Sequence, residues 1–485
     1  MLRIDSDVSQ PLHGVQATRA MEVALAANLP AHTLMQRAGL ASARLALALA
    51  PHAQIFWIAC GPGNNGGDGL QAAVYLRQWG KTPVVTLLGA AENLPPDAHA
   101  SLRAAQDMGV QFADAPPPNA HTCIDALLGL GSARAIEGRM AQWVTQINAF
   151  QGTVLSLDLP TGLNADTGCA SSTLPSQCVR ADHTLSLLTL KPGLFTAQGR
   201  DMAGQVWLDD LGAGPLRHDS PQMVLLGRPE PLRRSHDSHK GSFGNVVVVG
   251  GAPGMTGAAW LAASAALHQG AGKVYVCLLD DSQYGADALQ PELMVRDADA
   301  LDVSGMTVVC GCGGGEAVTA RLPRLLSQSP RLVLDADALN AVAGDGHLRQ
   351  LLTARQHRAR ATVLTPHPLE AARLLDCPVA QVQNDRLAAA QTLAQSLGCT
   401  VVLKGSGTVV ASNAALTAIN PTGNARLATA GTGDVLAGML GAMLAQGQSP
   451  VAAAQAAVWW HGHAADQWPA DRALVAGELA RTLRP

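Results

Sequence analysis

Charge is scarce in this sequence. Asp, Glu, Lys and Arg make up 14% of the 485 residues, and the formal net charge is −4. No basic stripe is present, and Arg233-Arg234 is too short to meet a phosphate backbone, so no nucleic-acid partner is expected. Aromatic residues amount to 3%, so the cores must be built from Ala, Val and Leu. Lysine is rarer still: five of the 33 basic residues are Lys (Lys81, Lys191, Lys240, Lys273 and Lys404), which makes each worth a look. No Cys-x-x-Cys pair occurs among the nine Cys, and Cys310-x-Cys312 is too tight for a zinc knuckle. Reduced thiols and a cytoplasmic setting are expected. Long apolar runs are missing too. The stretch 246–272 is cut by Gly250, Gly251, Pro253, Gly254 and Gly257, so no membrane span or membrane partner is expected. The first seven residues are polar and acidic, unlike a signal peptide.

What is present is apolar material and glycine: 48% hydrophobic residues and 49 Gly. That excludes a disordered chain. The length exceeds what one core supports, which points to several domains. Short β-branched runs alternate with longer Ala/Leu-rich segments. Strands are expected at 54–59, 83–88, 122–125, 153–158 and 183–188, then at 246–249, 273–278, 306–310, 332–335, 361–364 and 400–403. Helices are expected at 68–79, 97–108 and 140–148, with three more at 433–444, 450–466 and 470–483. This alternation predicts an α/β protein with parallel sheets covered on both faces. Residues 211–243, rich in Gly, Pro, His and Arg, separate domain one (1–213) from domain two (225–485).

In domain one, Gly61-Pro62-Gly63-Asn64-Asn65-Gly66-Gly67-Asp68-Gly69 follows a strand and opens a helix. It contains G-x-G-x-x-G, a dinucleotide fingerprint. Asp68 would repel a phosphate there, while Asn64 and Asn65 offer amide oxygens suited to a ring amide or a cation. The alternative is a tight strand–helix turn in which Asp68 serves the helix dipole. Two further strands end in Asp: Asp125, and Asp158 in Asp158-Leu159-Pro160-Thr161-Gly162. Ligands of open α/β sheets bind at that edge. Asn65, Asp125, Asp158 and Thr161 could converge on a hard cation, or each Asp could cap the next turn.

Domain two lacks a Walker A loop, so any nucleotide is held differently. In Thr429-Ala430-Gly431-Thr432-Gly433-Asp434, glycines at a helix entrance expose N–H groups to an anion. Asp434 stands beside them as a base toward a hydroxyl, which is what phosphoryl transfer onto an alcohol needs. Lys404-Gly405-Ser406-Gly407-Thr408 forms a second phosphate-sized loop between strands. Thr365-Pro366-His367-Pro368 brings a His to a strand end, where backbone hydrogen bonding is its ordinary use. One carboxylate of Asp335-Ala336-Asp337 is expected to cap the following helix. His461 and His463 are two apart and flanked by Trp459 and Trp460, which suits a half-buried helix end and no metal.

Taken together, these motifs resemble a known family. Residues 64–69, the Asp125 loop and the Asp158 turn resemble NAD(P)H-hydrate epimerases of the YjeF N-terminal type. Residues 311–315, 365–368, 404–408 and 429–438 resemble ADP/ATP-dependent NAD(P)H-hydrate dehydratases. In this order they resemble the bifunctional NAD(P)H-hydrate repair enzymes over nearly the whole chain. The resemblance implies an N-terminal Rossmann-like three-layer domain followed by a ribokinase-like α/β domain. It implies that Asn64, Asn65, Gly66, Gly67, Asp68, Gly129, Leu130, Gly131, Ser132, Ala133, Arg134 and Ala135 line the epimerase site, with Asp158 as acid/base. Asn65, Asp125 and Thr161 would hold potassium. In domain two, Ala258, Gly311, Gly313, His367 and Asp434 would contact the hydrate. Lys404, Gly405, Ser406, Gly407, Thr408 and Gly433 would contact ADP or ATP, carried with magnesium. A homo-oligomer is also expected. The sequence departs from the family pattern at Cys312, where Gly-Pro-Gly-x-Gly is usual, and at Leu369, where Gly is usual.

The rival readings are a ribokinase-like small-molecule kinase fused to a non-catalytic ligand-binding domain, and a domain one that only senses or scaffolds. A kinase would release a stable phosphoester; a dehydratase releases phosphate and restored NADH.

Overall fold

The β-branched runs form strands and the Ala/Leu-rich stretches form helices, in a computed structural model that describes residues 1–130, 136–170, 177–214, 221–280 and 290–483. The chain divides into two units, Met1–Leu225 and Leu226–Pro485.

The first unit runs β1 (Leu2–Arg3), β2 (Gln10–Leu12), α1 (Val15–Ala26), α2 (Thr33–Leu49), β3 (Ile55–Cys60), α3 (Asn64–Gln78), β4 (Thr82–Leu87), α4 (Pro96–Asp107), β5 (Gln111–Phe112), β6 (Thr122–Ala126), α5 (Gly138–Asn148), β7 (Thr153–Leu157), β8 (His183–Leu187), α6 (Gly199–Met202), β9 (Gln205–Asp209) and β10 (Met223–Leu225). Its main sheet has the order β1-β9-β8-β7-β6-β3-β4-β5. All neighbours are parallel except β1 on β9; β2 lies outside this sheet and pairs antiparallel with β10. Alternation along β3 feeds two cores. Phe56, Ile58 and Cys60 pack with α2 and α3 residues such as Leu45, Leu70 and Leu76. Trp57 and Ala59 face Trp143, Val144 and Ile147 of α5. The chain leaves β3 toward β4, then returns to the other side of β3 as β6. That reversal opens a crevice at the carboxyl ends of β3 and β6.

The second unit contains β11 (Asn245–Gly250), α7 (Thr256–His268), β12 (Lys273–Leu278), β13 (Met294–Val295), β14 (Thr307–Cys310), α8 (Leu322–Gln328), β15 (Arg331–Leu334), α9 (Ala336–Gly344), α10 (Gly346–Ala354), β16 (Ala361–Leu364), α11 (Pro368–Leu375), α12 (Val379–Asn384), α13 (Arg386–Leu397), β17 (Thr400–Leu403), β18 (Val409–Ser412), β19 (Ala415–Ile419), α14 (Thr432–Ala445), α15 (Pro450–Asp466) and α16 (Ala476–Thr482). Strands β13-β12-β11-β14-β15-β16-β17 are parallel; β18 and β19 continue as an antiparallel meander. Here β11 is flanked by β12 and β14, so a second crevice opens at the ends of β11 and β14. None of the nine cysteines is in a disulfide; Cys169 and Cys377 are part-buried and the other seven are buried. Among the described residues, no helix is long and apolar enough to cross a membrane.

Two expectations need correction, and several elements were not foreseen. Helix α3 starts at Asn64 rather than residue 68, so Asp68 lies beyond its first turn and is no dipole partner there. The last helix spans Ala476–Thr482 rather than 470–483, because residues 469–475 form turns and an extended segment. Helices α1 and α2 and the two- and three-residue edge strands had no counterpart in the sequence reading. Such short edges carry too few residues to show a period.

Candidate active sites

The first crevice depends on close backbone approach. A methyl group at Gly61 would lie 1.8 Å from the Leu127 carbonyl oxygen, and one at Gly66 would lie 1.9 Å from the Gly61 carbonyl oxygen. Only glycine permits this packing, which presses the first turn of α3 onto the loop after β6. Asn64 is exposed and Asn65 is buried there. Neither amide atom of Asn65 has a hydrogen-bond partner among the described residues. Across the crevice, a methyl group at Gly129 would meet Asp158 Oδ2 at 3.1 Å and Asn65 Cγ at 3.3 Å. Asn65, Gly129 and Asp158 therefore face one space.

Asp125 is fully buried. Its carboxylate accepts from Ser156 Oγ (2.8 Å), Thr161 N (2.9 Å), Thr161 Oγ1 (2.7 Å) and Leu127 N (3.3 Å). Burial pushes its pKa up, against these hydrogen bonds. Thr161 Oγ1 also accepts from Leu128 N at 3.0 Å. This oxygen cluster and the Asn65–Asp158 space are neighbours through Leu128 and Gly129.

Asp158 follows β7 with φ at +65°, a left-handed conformation uncommon for a non-glycine residue. Strain of this kind concentrates at functional sites. The conformation aims its side chain at Lys191, which is fully buried. Lys191 Nζ ion-pairs with Asp158 Oδ1 and also donates to the Leu187 carbonyl at 2.7 Å. Oδ1 is thereby engaged, while Oδ2 turns toward Gly129. Asp68 is crowded by burial and then by Asp158, Glu22 and Asp97, which raise its pKa well above the usual range. Leu130 closes the described part of this loop. Gly131, Ser132, Ala133, Arg134 and Ala135 lie outside the described residues.

In the second crevice, Gly431 at φ +90° turns the chain into α14, and Asp434 falls in the helix's first turn. A methyl group at Gly433 would sit 3.4 Å from Lys404 Nζ. The Lys404 ammonium thus stands over the helix N-terminus, where free N–H groups favour anions. Lys404 pairs with Asp335 at 2.7 Å and lies 4.0 Å from Glu370. Burial opposes its charge, but these carboxylates outweigh burial and raise its pKa. Asp335 also accepts from Thr365 Oγ1 at 2.7 Å. Burial, and then the neighbouring Asp335, push the Asp434 carboxyl up to about 7.

Asp335 occupies the N-cap position of α9, yet its side chain makes no cap hydrogen bond. Asp337 accepts from Gly315 N at 2.9 Å, bracing a loop. The expected helix cap from this pair is therefore absent, because both carboxylates serve the crevice and its rim. His367 caps α11: Nδ1 accepts from Leu369 N at 3.1 Å and Glu370 N at 3.3 Å, while Nε2 lies 3.2 Å from Glu370 Oε1. Burial, reinforced by Lys404, lowers its pKa, which favours the neutral ring. Ala258 adjoins Gly313, where an added methyl group would meet its Cβ at 2.9 Å. Gly405, Ser406, Gly407 and Thr408 form the turn from β17 to β18, with Gly405 at φ +135° and Thr408 Oγ1 donating to the Gly405 carbonyl at 3.0 Å. His461 Nε2 lies 3.0 Å from the Thr432 carbonyl, and burial lowers its pKa to about 4, so the neutral ring donates there. A cleft of about 840 Å³, lined by residues including Trp460, Trp468 and Arg472, contains none of the predicted site residues. Its Arg472 and Glu478 are paired with each other at 2.6 Å.

The profile of the NAD(P)H-hydrate dehydratase family matches residues 246–484, and that of the YjeF-related protein N-terminus matches residues 31–193. A bifunctional NAD(P)H-hydrate repair enzyme from Escherichia coli (strain K12) is 35% identical over 481 residues, covering 96% of this chain and 91% of that protein. The chain belongs to the bifunctional NAD(P)H-hydrate repair enzymes. A relative with that name from Leishmania major is 38% identical, covering 86% of this chain and 82% of that protein. An ADP-dependent (S)-NAD(P)H-hydrate dehydratase from Neisseria meningitidis serogroup B is 46% identical over 259 residues, covering 52% of this chain and 86% of that protein. In this repair enzyme, sequence reasoning missed Lys191, Asp335 and Glu370 as site neighbours. Only the scarcity of lysine hinted at Lys191.

Proposed function

We propose that residues 1–213 carry the epimerase and residues 225–485 the dehydratase of this bifunctional enzyme. The enzyme repairs hydrated NADH and NADPH: it interconverts the R and S hydrates and dehydrates the S form at the expense of ADP or ATP. Hydroxide is a poor leaving group from carbon six of the ring. In our reading Asp434 takes the hydroxyl proton, and the oxygen attacks the terminal phosphorus of the nucleotide, releasing AMP from ADP or ADP from ATP. Phosphate then leaves carbon six with the C–O electron pair. Loss of a proton from carbon five restores the double bond. Lys404 and the N–H groups around Gly433 stabilise the phosphoryl oxygens. Magnesium bound to the nucleotide phosphates would neutralise their charge. The observation that carries this reading is the meeting of Asp434, Lys404 and a helix N-terminus at Gly433. The test is recovery of dihydronicotinamide absorbance from chemically prepared hydrate, with ADP and with ATP. Accumulation of a stable phosphoester instead of free phosphate and NADH would favour a kinase.

Nucleotide binding has its own expected readout. At about 100 times Kd, a ligand adds about 2.7 kcal/mol to the native state. For a unit of this size that is a rise of roughly 5–10 °C in Tm. ADP or ATP should raise the melting of the second unit in the full chain, and Gly433→Val should abolish the shift by crowding Lys404. A full shift in Gly433→Val would move the nucleotide elsewhere.

For epimerisation, Asp158 Oδ2 is the proton-moving atom, with Lys191 holding Oδ1. Asn65, Asp125 and Thr161 would hold potassium, which would supply a fixed positive charge beside the hydrate. The unpartnered, buried amide of Asn65 and an all-oxygen donor set without His or Cys fit a hard ion. Epimer exchange should be faster in potassium than in a bulky organic cation, and Asn65→Ala should remove the difference. Equal wild-type rates in the two buffers would remove the cation from this reading.

A further inference from the structure

Cys312 lies between two glycines in left-handed conformations, Gly311 at φ +117° and Gly313 at φ +57°. Its carbonyl accepts from Gly251 N at 2.9 Å, bridging the ends of β11 and β14. A methyl group at Gly311 would lie 1.9 Å from the Asp335 carbonyl oxygen, so the turn is pinned against the end of β15 as well. The side chain held by this turn is fully buried. Its Sγ and one carboxylate oxygen each of Asp335 and Asp434 lie within 4.8 Å of one another. We propose that Cys312 is a positioning residue for the dehydratase: its thiol donates to the Asp434 carboxylate and holds it ionised beside the anion-binding helix turn. The proposal rests on the reading of Asp434 as the base.

The surroundings of Asp434 show why a donor matters. Asp335 and Asp337 repel its charge. Lys404 attracts it, but that ammonium is already tied to Asp335 at 2.7 Å. From α15, His461 is neutral and faces the Thr432 carbonyl. On the other elements packed against α14, α7 brings only His268 in its last turn, β15 brings Arg331 at its start, and β14 brings the Cys310 thiol. On α16, Glu478 is paired with Arg472 at 2.6 Å and Arg481 stands in the last turn. The Cys312 thiol is a donor placed within 4.8 Å of an Asp434 carboxylate oxygen. With its own pKa raised by burial and by Asp434 and Asp335, the thiol stays protonated and able to donate.

The experiment is the pH dependence of kcat/KM for nucleotide-dependent NADH recovery. Wild type is compared with Cys312→Ala, Cys312→Val and Cys312→Ser, and Asp434→Asn serves as control. Removing the donor in Cys312→Ala or Cys312→Val should move the acidic limb up by about one pH unit. That is about a tenfold loss below the limb, with the alkaline plateau kept. Cys312→Ser, whose hydroxyl donates, should bring the limb back. Cys312→Val keeps volume where Cys312→Ala leaves a gap, so a folding failure of one leaves the other decisive. An unmoved limb in the donor-free variants, or a uniform loss at every pH that Cys312→Ser does not reverse, overturns the proposal. Wild-type rates in Asp434→Asn would instead overturn the base assignment, a result independent of the Cys312 limb.

Discussion

Asp434→Ala lowers nucleotide-dependent recovery of NADH by at least about a hundredfold, the ordinary scale for loss of a general base. Epimer exchange continues at the wild-type rate, because Asp434 lies in the second unit. The expectation rests on position and on titration. Asp434 stands in the first turn of α14, and burial together with Asp335 lifts its carboxyl to about 7. A base must be deprotonated, so wild-type kcat/KM should climb as pH rises through about 7. The same shift bears on stability. The folded pKa lies above the unfolded one, so the contribution is fully present below the unfolded value and is lost as pH rises through about 7. Asp434→Asn should therefore melt above wild type at pH 8, with little difference under acidic conditions. Near-normal recovery of NADH by Asp434→Ala would move the base elsewhere.

In the first unit, Lys191→Met should reduce epimer exchange by at least about a hundredfold and also destabilise the fold. The pair it breaks is buried on both sides. Removing one partner of such a pair costs roughly 3–5 kcal/mol, because the other charge stays buried and alone. Asp158→Asn should lose epimerisation to a similar extent and also lower melting, because it leaves the Lys191 ammonium buried and alone, while Asn itself tolerates the left-handed conformation. The combination of Lys191→Met and Asp158→Asn separates the two roles. It should recover much of the stability lost in Lys191→Met and none of the epimerisation. Rates and melting curves on the three variants check this. Normal epimer exchange in Lys191→Met would show that Asp158 works without its partner.

These residues also mark what the sequence could and could not tell. Strands ending at Cys60, Ala126, Cys310 and Leu334 were legible because buried parallel strands read as continuous apolar runs. The glycine turns and the strand-end Asp residues followed from position alone. Lys191 did not. Its partner Asp158 is 33 residues away, just past the end of β7. No local pattern separates a buried lysine from an exposed one. One carboxylate of Asp335-Ala336-Asp337 is expected from the sequence to cap the next helix, the usual role of an Asp there, but Lys404 reaches Asp335 from 69 residues away. An ion pair across a parallel sheet is set by strand order, which a single sequence states only indirectly. Helix α2 was missed for the opposite reason. No side chain caps its N-terminus, so its start carries no local signal.

The free thiols make each sheet report on its own opening. Cys60 and Cys123 lie within strands of the first unit; Cys277 and Cys310 lie within strands of the second. Burial raises the pKa of all four, so an alkylating reagent finds neither access nor thiolate while the strands stay paired. Cys169 and Cys377, being only partly covered, take up label early and serve as the internal clock. A timed alkylation pulse followed by peptide mass spectrometry then dates the exposure of Cys60 and Cys123 separately from that of Cys277 and Cys310. Adding ADP should slow labelling of the second pair and leave the first unchanged, so that a ligand's effect is read strand by strand without attaching any probe.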